Sequence, residues 1–401
     1  MTHDFIILGG GLAGSVLAYR LKTINPSWSV VVIERSVTLG GNHTWCFHDS
    51  DLTVEQLSWV DALVSARWDA YEVRFRGFQR VLNGGYRAIQ STRLHEVVAS
   101  VLGAGVLLGR EVAFLKPGTV HLTSGEVVTG RHIIDSRGIE GWQNILPEKS
   151  FGCQKFLGMD LLLKEPHGLL RPVLMDATCV QNDGYRFFYL LPWSENRLLI
   201  EETRYSLVPG INQADSRTAI IDYAALQGWR VAAIEREEQG VLPLPLNDSF
   251  DRSLQSLAVD GENTTLIKFG MRAGLFHQTT GYSLPFTVAA ADQMAAHAAY
   301  SDDDTNTKKF FENKGRKHWQ SQSYFRLLNR MLFWAAAPEA SHRIFKKFYG
   351  LPEGLIRNFY SSKLTRSDKM RILSGKPPDP VMAALPCLFG KEPRNATTAF
   401  L

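Results

Sequence analysis

The 401-residue sequence contains few cysteines and no uninterrupted hydrophobic run that could span a lipid bilayer. The nearest candidate, 327–337, contains Asn329 and Arg330, whereas a spanning helix needs about 18 apolar residues. The first residues lead into an apolar strand without a basic region before it, so neither a signal nor a transit peptide is predicted. The cysteines are too scattered for a disulfide framework or a zinc ribbon: Cys46, Cys153, Cys179 and Cys387. We therefore expect the protein to be located in the reducing environment of the cytosol.

The overall composition is that of an ordinary globular protein. Apolar residues make up 45% and charged residues 21% of the chain, which excludes a disordered, collagen-like or coiled-coil protein. At about 150 residues per domain, the length predicts two or three domains. No group of His, Cys, Asp and Glu has metal-ligand spacing, so no metal site is predicted.

The net positive charge of the sequence is confined to a segment near the C-terminus. The segment 310–376 carries 14 Lys or Arg against 4 Asp or Glu, whereas the remainder carries 30 against 36. The same segment is rich in aromatic and aliphatic residues at helical spacing. This combination fits a surface that rests on an anionic membrane, and it equally fits a helical domain with a solvated basic face. Nucleic-acid binding is not expected, because no recognised motif accompanies the basic residues.

A glycine-rich motif near the N-terminus indicates a dinucleotide site. Residues 9–14 read GGGLAG, which fits G-x-G-x-x-G through Gly9, Gly11 and Gly14. The motif follows a strand and opens a helix, and Glu34 ends the next strand twenty positions after Gly14. The glycines would let the backbone approach a pyrophosphate at the helix N-terminus, and Glu34 would accept hydrogen bonds from a ribose.

Two later segments favour FAD over NAD as the dinucleotide. Residues 133–138 (IIDSRG) resemble the second contact strand of two-domain flavoproteins, and 269–274 (FGMRAG) resemble their late flavin motif. In that motif Met271 stands where an acidic residue usually holds the ribityl chain. Arg93, at a predicted helix start, resembles an arginine that such proteins place near the cofactor, although a solvated helix-cap charge explains it almost as well.

The pattern along the chain predicts an α/β fold of the Rossmann-type two-domain flavoprotein class, similar to glutathione reductase and the flavin hydroxylases. Short apolar runs between turns over 150–245 predict an antiparallel sheet, and the chain after Asp304 is mainly helical. We predict a discontinuous FAD-binding domain (1–60, 88–148 and 262–304), a substrate domain (61–87 and 149–261) and a helical C-terminal region (305–401) in probable membrane contact.

Several further motifs, in order along nearly the whole chain, carry a specific resemblance. They are 40–45 (GGNHTW), 199–205 (LIEETRY), 272–285 (RAGLFHQTTGYSLP), 348–352 (FYGLP) and 371–378 (RILSGKPP). Together they resemble the bacterial-type lycopene beta-cyclases. Late motifs of that family also lack the acidic residue at the Met271 position, so this departure argues against an oxidase and not against a cyclase.

The resemblance implies a reaction, cofactors and a location. The enzyme would close beta-ionone rings at the ends of lycopene, giving beta-carotene through gamma-carotene, as an isomerase or intramolecular lyase without net redox change. It would need reduced FAD, with NAD(P)H as reductant. It would be cytoplasmic and peripheral on the inner face of the cell membrane, where other enzymes of carotenoid synthesis could contact it. The expected cofactor residues are Gly9, Gly11, Gly14, Glu34, Arg93, Gly138, Gly270, Gly274 and Gly281.

Glu201 and Glu202 are the expected catalytic residues. Ring closure begins with protonation of a terminal double bond, passes through a carbocation and ends with loss of a ring proton. Adjacent residues of a strand point to opposite faces, so only one of the two can face an apolar tunnel, and the family motif places the catalytic carboxylate at Glu201. Burial beside an anionic flavin should raise the pKa of Glu201. Without the motif, an edge-strand pair bound to arginine would be the better interpretation.

Other residues and other functions stay open on the sequence. Trp45, Phe187 and Tyr189 could stabilise a cation through their ring faces, although core packing explains each of them. His43 and His277 are better explained as histidines that hold the backbone than as catalysts. The alternatives to a cyclase are an FAD-dependent isoprenoid reductase or epoxidase with the same fold, and a non-catalytic flavin- or carotenoid-binding membrane protein.

Overall fold

Two β-sheets and a helical C-terminal region make up the protein in the computed structural model. The structure describes residues 2–139, 150–181, 184–249, 266–298, 304–336, 340–374 and 381–392. The last part of the predicted tail motif, 375–378, lies outside these residues. Each sheet has one face covered by helices of its own segment, and the second sheet offers its other face to the C-terminal region.

The first sheet is parallel at its centre, in the order β6-β2-β1-β9-β8-β7, with β15 also pairing to β9. Its strands are β1 Thr2–Leu8, β2 Val30–Glu34, β6 Val106–Leu108, β7 Val112–Lys116, β8 Thr119–Leu122, β9 Val127–Asp135 and β15 Ile267–Lys268. The central strands are almost continuous runs of Val, Ile and Leu because both of their faces are buried. Three helices cover one face: Leu12–Ile24, Ser91–Leu102 and Leu284–Ala298.

The second sheet has eight strands in the order β14-β10-β13-β12-β11-β4-β5-β3. They are β3 Thr44–His48, β4 Ala66–Phe75, β5 Phe78–Gln90, β10 Phe151–Leu163, β11 Val173–Ala177, β12 Tyr185–Ser194, β13 Arg197–Ser206 and β14 Val231–Pro245. The pairing is antiparallel except between β11 and β4. Helix Gln213–Leu226 packs on one face against β10 and β13, where Leu157, Met159 and Ile200 are buried. A short helix, Val54–Val60, precedes β4.

The C-terminal region covers the other face of the second sheet. Its helices are Asp304–Ser321, Ser323–Arg330, Ser341–Tyr349, Glu353–Tyr360, Arg366–Leu373 and Val381–Leu388, with a π-helical turn at Met331–Ala335. Phe333 lies directly on Gly152 of β10, where any larger residue would overlap the ring. Over the residues that the structure describes, none of the helices is both long and apolar enough to cross a membrane.

The α/β class with a Rossmann-type sheet, an antiparallel sheet and a helical C-terminal region is confirmed. The expected return of the chain to the first sheet near Leu266 occurs as β15, which pairs with Ile134 and Asp135. Strand β3 lies inside the segment assigned to the first domain, and it forms an edge of the second sheet. The domain division itself stays a prediction.

Candidate active site

The glycine loop lies at the carboxyl end of β1, against the end of β9. Gly9 has a φ of 90°, and a Cβ there would overlap the backbone of Arg137. Gly14 lies against the carbonyl of Gly9 and the hydroxyl of Ser136, so it also has no room for a side chain. At Gly11 a Cβ would meet nothing within 4 Å, so the loop faces open space beside the helix N-terminus.

Glu34 lies at the end of β2, beside this loop. Its Oε2 accepts a hydrogen bond from the Gly10 amide at 2.6 Å, and its Oε1 accepts one from the Ser36 amide at 2.8 Å. The two bonds fix the carboxylate at the carboxyl edge of the sheet, next to an open glycine loop. An open loop, a helix N-terminus and an acidic side chain at this edge are the elements that hold a dinucleotide.

The remaining expected cofactor residues occupy several positions around this edge. Gly138 has a φ of 70° and open space at its Cβ position, and Gly270 packs on Ala13 of the glycine-loop helix. Gly274 ends the turn that begins at Gly270, and Gly281 borders the cavity described below. Arg93 lies in the first turn of its helix and donates from Nε to the Ala62 carbonyl at 3.1 Å. Its side chain is partly exposed, at 46%.

A cavity of about 400 Å³ lies between the second sheet, the late glycine motif and the C-terminal helices. Its wall is largely aromatic, formed by Trp45, Phe187, Tyr189, Tyr205, Tyr282, Tyr349 and Tyr360. Met271, from the turn that packs on the glycine-loop helix, also lines it. Among its described lining residues, Glu201 is the one carboxylic acid, and no Lys or Arg borders the cavity. The site therefore offers a single acid in an apolar, electron-rich surrounding.

Glu201 has one direct side-chain partner among the described residues. The hydroxyl of Thr203 donates to Glu201 Oε1 at 2.5 Å, and no cation pairs with the carboxyl group. Burial and the neighbouring carboxyl group of Glu238 raise the pKa of Glu201 to about 8. The group therefore holds a proton at neutral pH, as a general acid must.

Glu202 points to the opposite face of the sheet, toward helix Gln213–Leu226. Its carboxylate accepts from Arg204 Nε at 2.6 Å and from the Ser216 hydroxyl at 2.7 Å, and Arg186 Nε lies 2.6 Å away. Burial opposes ionisation, but these arginines and Ser216 hold the pKa of Glu202 below its ordinary value. In this position Glu202 closes an ion cluster away from the cavity, and its expected catalytic role stays a prediction that the geometry does not favour.

The structure also locates the aromatic and histidine candidates. Trp45, Phe187 and Tyr189 all line the cavity, as does His43. His277 is fully buried, where its Nε2 bonds the Phe359 carbonyl at 2.9 Å and its Nδ1 accepts from the Thr279 and Thr280 amides. Burial lowers the pKa of His277 to about 4, so the ring is neutral. His277 thus ties the late glycine motif to the C-terminal helices.

Sequence reasoning missed two groups of residues at this site. Tyr282, Tyr349 and Tyr360 line the cavity from segments far apart in the chain. Tyr282 and Tyr349 lie in the motifs 272–285 and 348–352, but those motifs did not indicate that their side chains share a cavity with Glu201. Glu238 lies beside Glu201, and the adjacent pair Glu237 and Glu238 on a strand was an available signal. Within the described part of the chain, no three His, Cys, Asp or Glu side chains come together as a metal site.

A second cavity, of about 540 Å³, adjoins the first. The two share Met175, Tyr205, Thr280, Tyr349 and Tyr360 as lining residues. The second cavity is bordered by apolar side chains of the C-terminal helices, with the exposed Arg343 and Lys347 on its border. Together, the two cavities place apolar side chains along the way from the C-terminal region to Glu201.

Comparison with known proteins assigns a family. The model of the family described as lycopene cyclase protein matches residues 4–385. The chain is 42% identical to a lycopene beta-cyclase of Pantoea ananas over 96% of this chain and 98% of that protein. It is 43% identical to a lycopene beta-cyclase of Pseudescherichia vulneris over 94% and 95% of the two chains.

Solved structures support the fold. A flavoprotein/dehydrogenase from Cytophaga hutchinsonii superposes with a TM-score of 0.58 at 13% identity. The superposition covers 97% of this chain and 100% of that one. At this identity the likeness concerns the fold alone, which is that of two-domain flavoproteins.

The opposite environments of Glu201 and Glu202 predict opposite pH dependences of stability. Because the folded state raises the pKa of Glu201 to about 8, stability is lost as the pH rises from near 4.5 through 8. Glu201→Gln removes this loss, so the free energy of unfolding of the variant should rise relative to the wild type by up to about 4 kcal/mol between pH 5 and pH 9, since about three pKa units fall in this range and one unit corresponds to about 1.4 kcal/mol. Urea unfolding at both pH values measures the gain.

Glu202→Gln is the matched control for this measurement. The folded state lowers the pKa of Glu202, which stabilises the protein at any pH above the ordinary pKa of a glutamic acid. This stabilisation is lost as the pH falls through the lowered pKa. The variant should therefore be destabilised most at neutral pH and least near pH 4. If the stability of the two variants depended on pH in the same way, the placement of Glu201 and Glu202 on opposite faces of the sheet would be contradicted.

Proposed function

Because the chain belongs to the lycopene cyclase family, we propose that it is a lycopene beta-cyclase. It closes a beta-ionone ring at each acyclic end of lycopene, giving beta-carotene through the one-ring gamma-carotene. One proton is added to the substrate and one is lost from it, and the bonding electrons rearrange within the molecule, so the product has the mass of the substrate. The observation that carries the proposal is the position of Glu201 as the one carboxylic acid among the described lining residues of a cavity rich in aromatic side chains. Burial there raises the pKa of Glu201 to about 8, so the group can supply a proton.

Glu201 is the acid that begins the reaction in this proposal. Its proton adds to the terminal double bond, which leaves a tertiary carbocation. The next double bond attacks the cation and closes the six-membered ring, and loss of a ring proton restores a neutral product. The carboxylate that remains on Glu201 is placed to act as the base that accepts this ring proton. One residue can thus serve as acid and base, and the protein ends each cycle in its starting state.

The cavity wall supports the cationic intermediate. The faces of Trp45, Phe187 and Tyr189 offer negative π-electron density, which attracts a cation. The absence of Lys and Arg among the described lining residues avoids repulsion of the developing positive charge. An apolar wall also disfavours water, which would trap the cation as an alcohol.

The glycine loop and its surroundings fit FAD. Gly9, Gly11, Gly14 and Glu34 would hold the dinucleotide, since the loop is open at Gly11 and the carboxylate of Glu34 is fixed beside it. The likeness to a solved flavoprotein supports the same cofactor. Reduced FAD, kept reduced by NAD(P)H, would supply negative charge near the cation without net electron transfer.

The substrate class suggests that the enzyme works at a membrane surface. Lycopene is a long hydrocarbon that dissolves in lipid and not in water. The second cavity gives an apolar route toward the first, and the exposed Arg343 and Lys347 on its border suit the headgroups of anionic lipids. We therefore propose a cytoplasmic enzyme bound peripherally to the inner face of the cell membrane.

An anaerobic assay tests the proposed reaction. Purified protein with FAD and a chemical reductant is mixed with lycopene in liposomes, and product mass and retention time are followed. We expect a product of unchanged mass that co-elutes with beta-carotene, without stoichiometric use of NADPH. A gain of hydrogen or oxygen would establish a redox enzyme instead, and bound FAD and lycopene without product would establish a binding protein.

In the same assay, Glu201→Gln should lower the rate of ring closure at least about 100-fold, because general acids contribute 10²–10⁴-fold. Bound flavin, measured by its absorbance, should stay near the wild-type value, and the melting temperature at pH 5 should not fall below that of the wild type. Glu237→Gln, a change of the same kind on β14, which β10 separates from the strand of Glu201, serves as the control and should keep activity. Full activity of Glu201→Gln would remove this residue from its assigned role.

The proposed membrane contact predicts that the protein binds vesicles more weakly when the basic residues at the border of the second cavity are replaced by acidic ones. The double variant Arg343→Glu, Lys347→Glu should bind vesicles of phosphatidylglycerol and phosphatidylcholine at least about tenfold more weakly, at about 1 kcal/mol per basic residue. The double variant Arg110→Glu, Lys116→Glu makes the same change in net charge on the first sheet. Equal loss in both variants would show a non-specific charge effect.

A further inference from the structure

Two glutamates lie in one row across three neighbouring strands of the second sheet. In the strand register, Gly158 of β10 is paired with Glu201 of β13 on one side and with Glu238 of β14 on the other. Residues in register on adjacent strands point to the same face. Gly158 has no side chain between the two. A Cβ at this glycine would lie 3.2 Å from Cγ of Glu238 and 3.5 Å from Cβ of Glu201, so the glutamates border the same small gap.

Glu238 is buried, with only 4% of its surface exposed, and it has donors that favour its charged form. Its Oε2 accepts from the Thr44 amide at 2.7 Å, and Arg236 approaches Oε1 at 3.5 Å. Arg236 binds more closely to Asp160, at 2.7 Å, and to the Thr44 hydroxyl, at 2.8 Å. The guanidinium group therefore lies near Glu238 without neutralising it by a short ion pair.

The two glutamates face different surroundings. Glu201 borders the aromatic cavity, whereas Glu238 borders a separate polar cavity of about 290 Å³ with Asn42, Gln213 and Arg217. His43 lines both cavities, and burial lowers its pKa, so it is neutral at the operating pH. Cys46 lies near the row as well, but burial raises the pKa of its thiol to about 12, so it carries no charge. Arg236 and Asp160 are the charges that act on Glu238. Arg217 and Glu237, at the same polar cavity, pair with each other.

We propose that Glu238 is a positioning residue that keeps the proton of the pair on Glu201, where it faces the polyene. This inference rests on the proposed function. The glutamates border the same gap at Gly158, and a negative charge at Glu238 disfavours ionisation of Glu201, so the pair holds one proton at neutral pH. The Thr44 amide and Arg236 stabilise the anion at Glu238, and Glu201 has only the Thr203 hydroxyl, so the proton resides on Glu201.

Burial raises the pKa of Glu238 as well, although Arg236 and Thr44 oppose this shift. The arrangement has a consequence for both proton transfers. Before ring closure it keeps the acid protonated at the operating pH, and after donation the anion at Glu238 makes the new carboxylate on Glu201 a stronger base. The proton taken from the ring restores the starting state, so no proton is gained or lost over a cycle.

The test follows the protonation of Glu201 directly, so that it does not depend on catalysis. In flavin-loaded protein, the infrared carbonyl band that disappears in Glu201→Gln identifies the protonated Glu201 side chain. A pH titration of this band should give a midpoint near 8 in the wild type. In Glu238→Gln the midpoint should fall by at least about one pH unit, because the neighbouring negative charge is removed. An unchanged midpoint would overturn the proposal.

The matched control is Glu237→Gln. Glu237 is adjacent on the same strand, but its carboxylate binds Arg217 at 2.8 Å on the helix-covered face. This variant should leave the midpoint of the Glu201 band unchanged, and an equal shift in both variants would refute a specific role for Glu238. Glu238→Asp retains the charge and should restore most of the wild-type midpoint, which separates the charge from the packing of the side chain.

The pH dependence of ring closure gives the second readout. The rate should fall as the pH rises through the midpoint of Glu201, and in Glu238→Gln this fall should begin at least about one pH unit lower. A uniform loss of rate without a shift in the profile would indicate a structural role and overturn the proposal. If the wild type forms no cyclic product, the proposed function fails, while the infrared titration still decides whether the two carboxyl groups are coupled.

Discussion

A carboxylic acid that lines an aromatic cavity, with no Lys or Arg beside it among the residues that the structure describes, is the constraint on which the rest of this structure depends. An isolated carboxylate in an apolar surrounding is unfavourable, so Glu201 stays neutral and holds its proton. Glu201 stays protonated only if no Arg or Lys side chain lies in the cavity, because a nearby positive charge would stabilise the carboxylate. The arginines of the same strands satisfy the requirement, because Arg186 and Arg204 bind Glu202 on the other face. The alternation of a β-strand thus separates an acid from an ion cluster over a single peptide bond.

The cavity is built by nearly the whole length of the chain. The second sheet provides Glu201, Phe187 and Tyr189, whereas Tyr349 and Tyr360 come from helices more than 140 residues later. His277 couples these parts, because its ring joins the backbone after the late glycine motif to the carbonyl of Phe359. The glycine motif in turn packs on the dinucleotide loop through Gly270 and Ala13. Cofactor edge, acid and aromatic wall therefore belong to one continuous set of contacts.

The sequence predicted the local features well and the distant ones poorly. The glycine loop, Glu34 and the opposed faces of Glu201 and Glu202 follow from short patterns with a fixed period, and these were expected. The partnership of Glu201 with Glu238 depends on the pairing of β10 with two other strands, and 36 residues of sequence lie between the two glutamates. Strand register is set by tertiary packing, so no window of the sequence contains it. The same holds for the tyrosines of the C-terminal helices.

The basic C-terminal segment illustrates why net charge alone is a weak argument for a membrane. Arg326 is buried, where it bonds Gln278 and the Trp319 carbonyl, and Arg330 bonds the carbonyls of Leu246 and Cys387. These arginines satisfy backbone and side-chain acceptors inside the protein, so they contribute nothing to a lipid surface. Arg343 and Lys347 are exposed beside an apolar opening, where a charge can meet a headgroup while the adjoining surface meets hydrocarbon. The membrane proposal therefore depends on this small border and not on the excess of fourteen basic residues over four acidic ones.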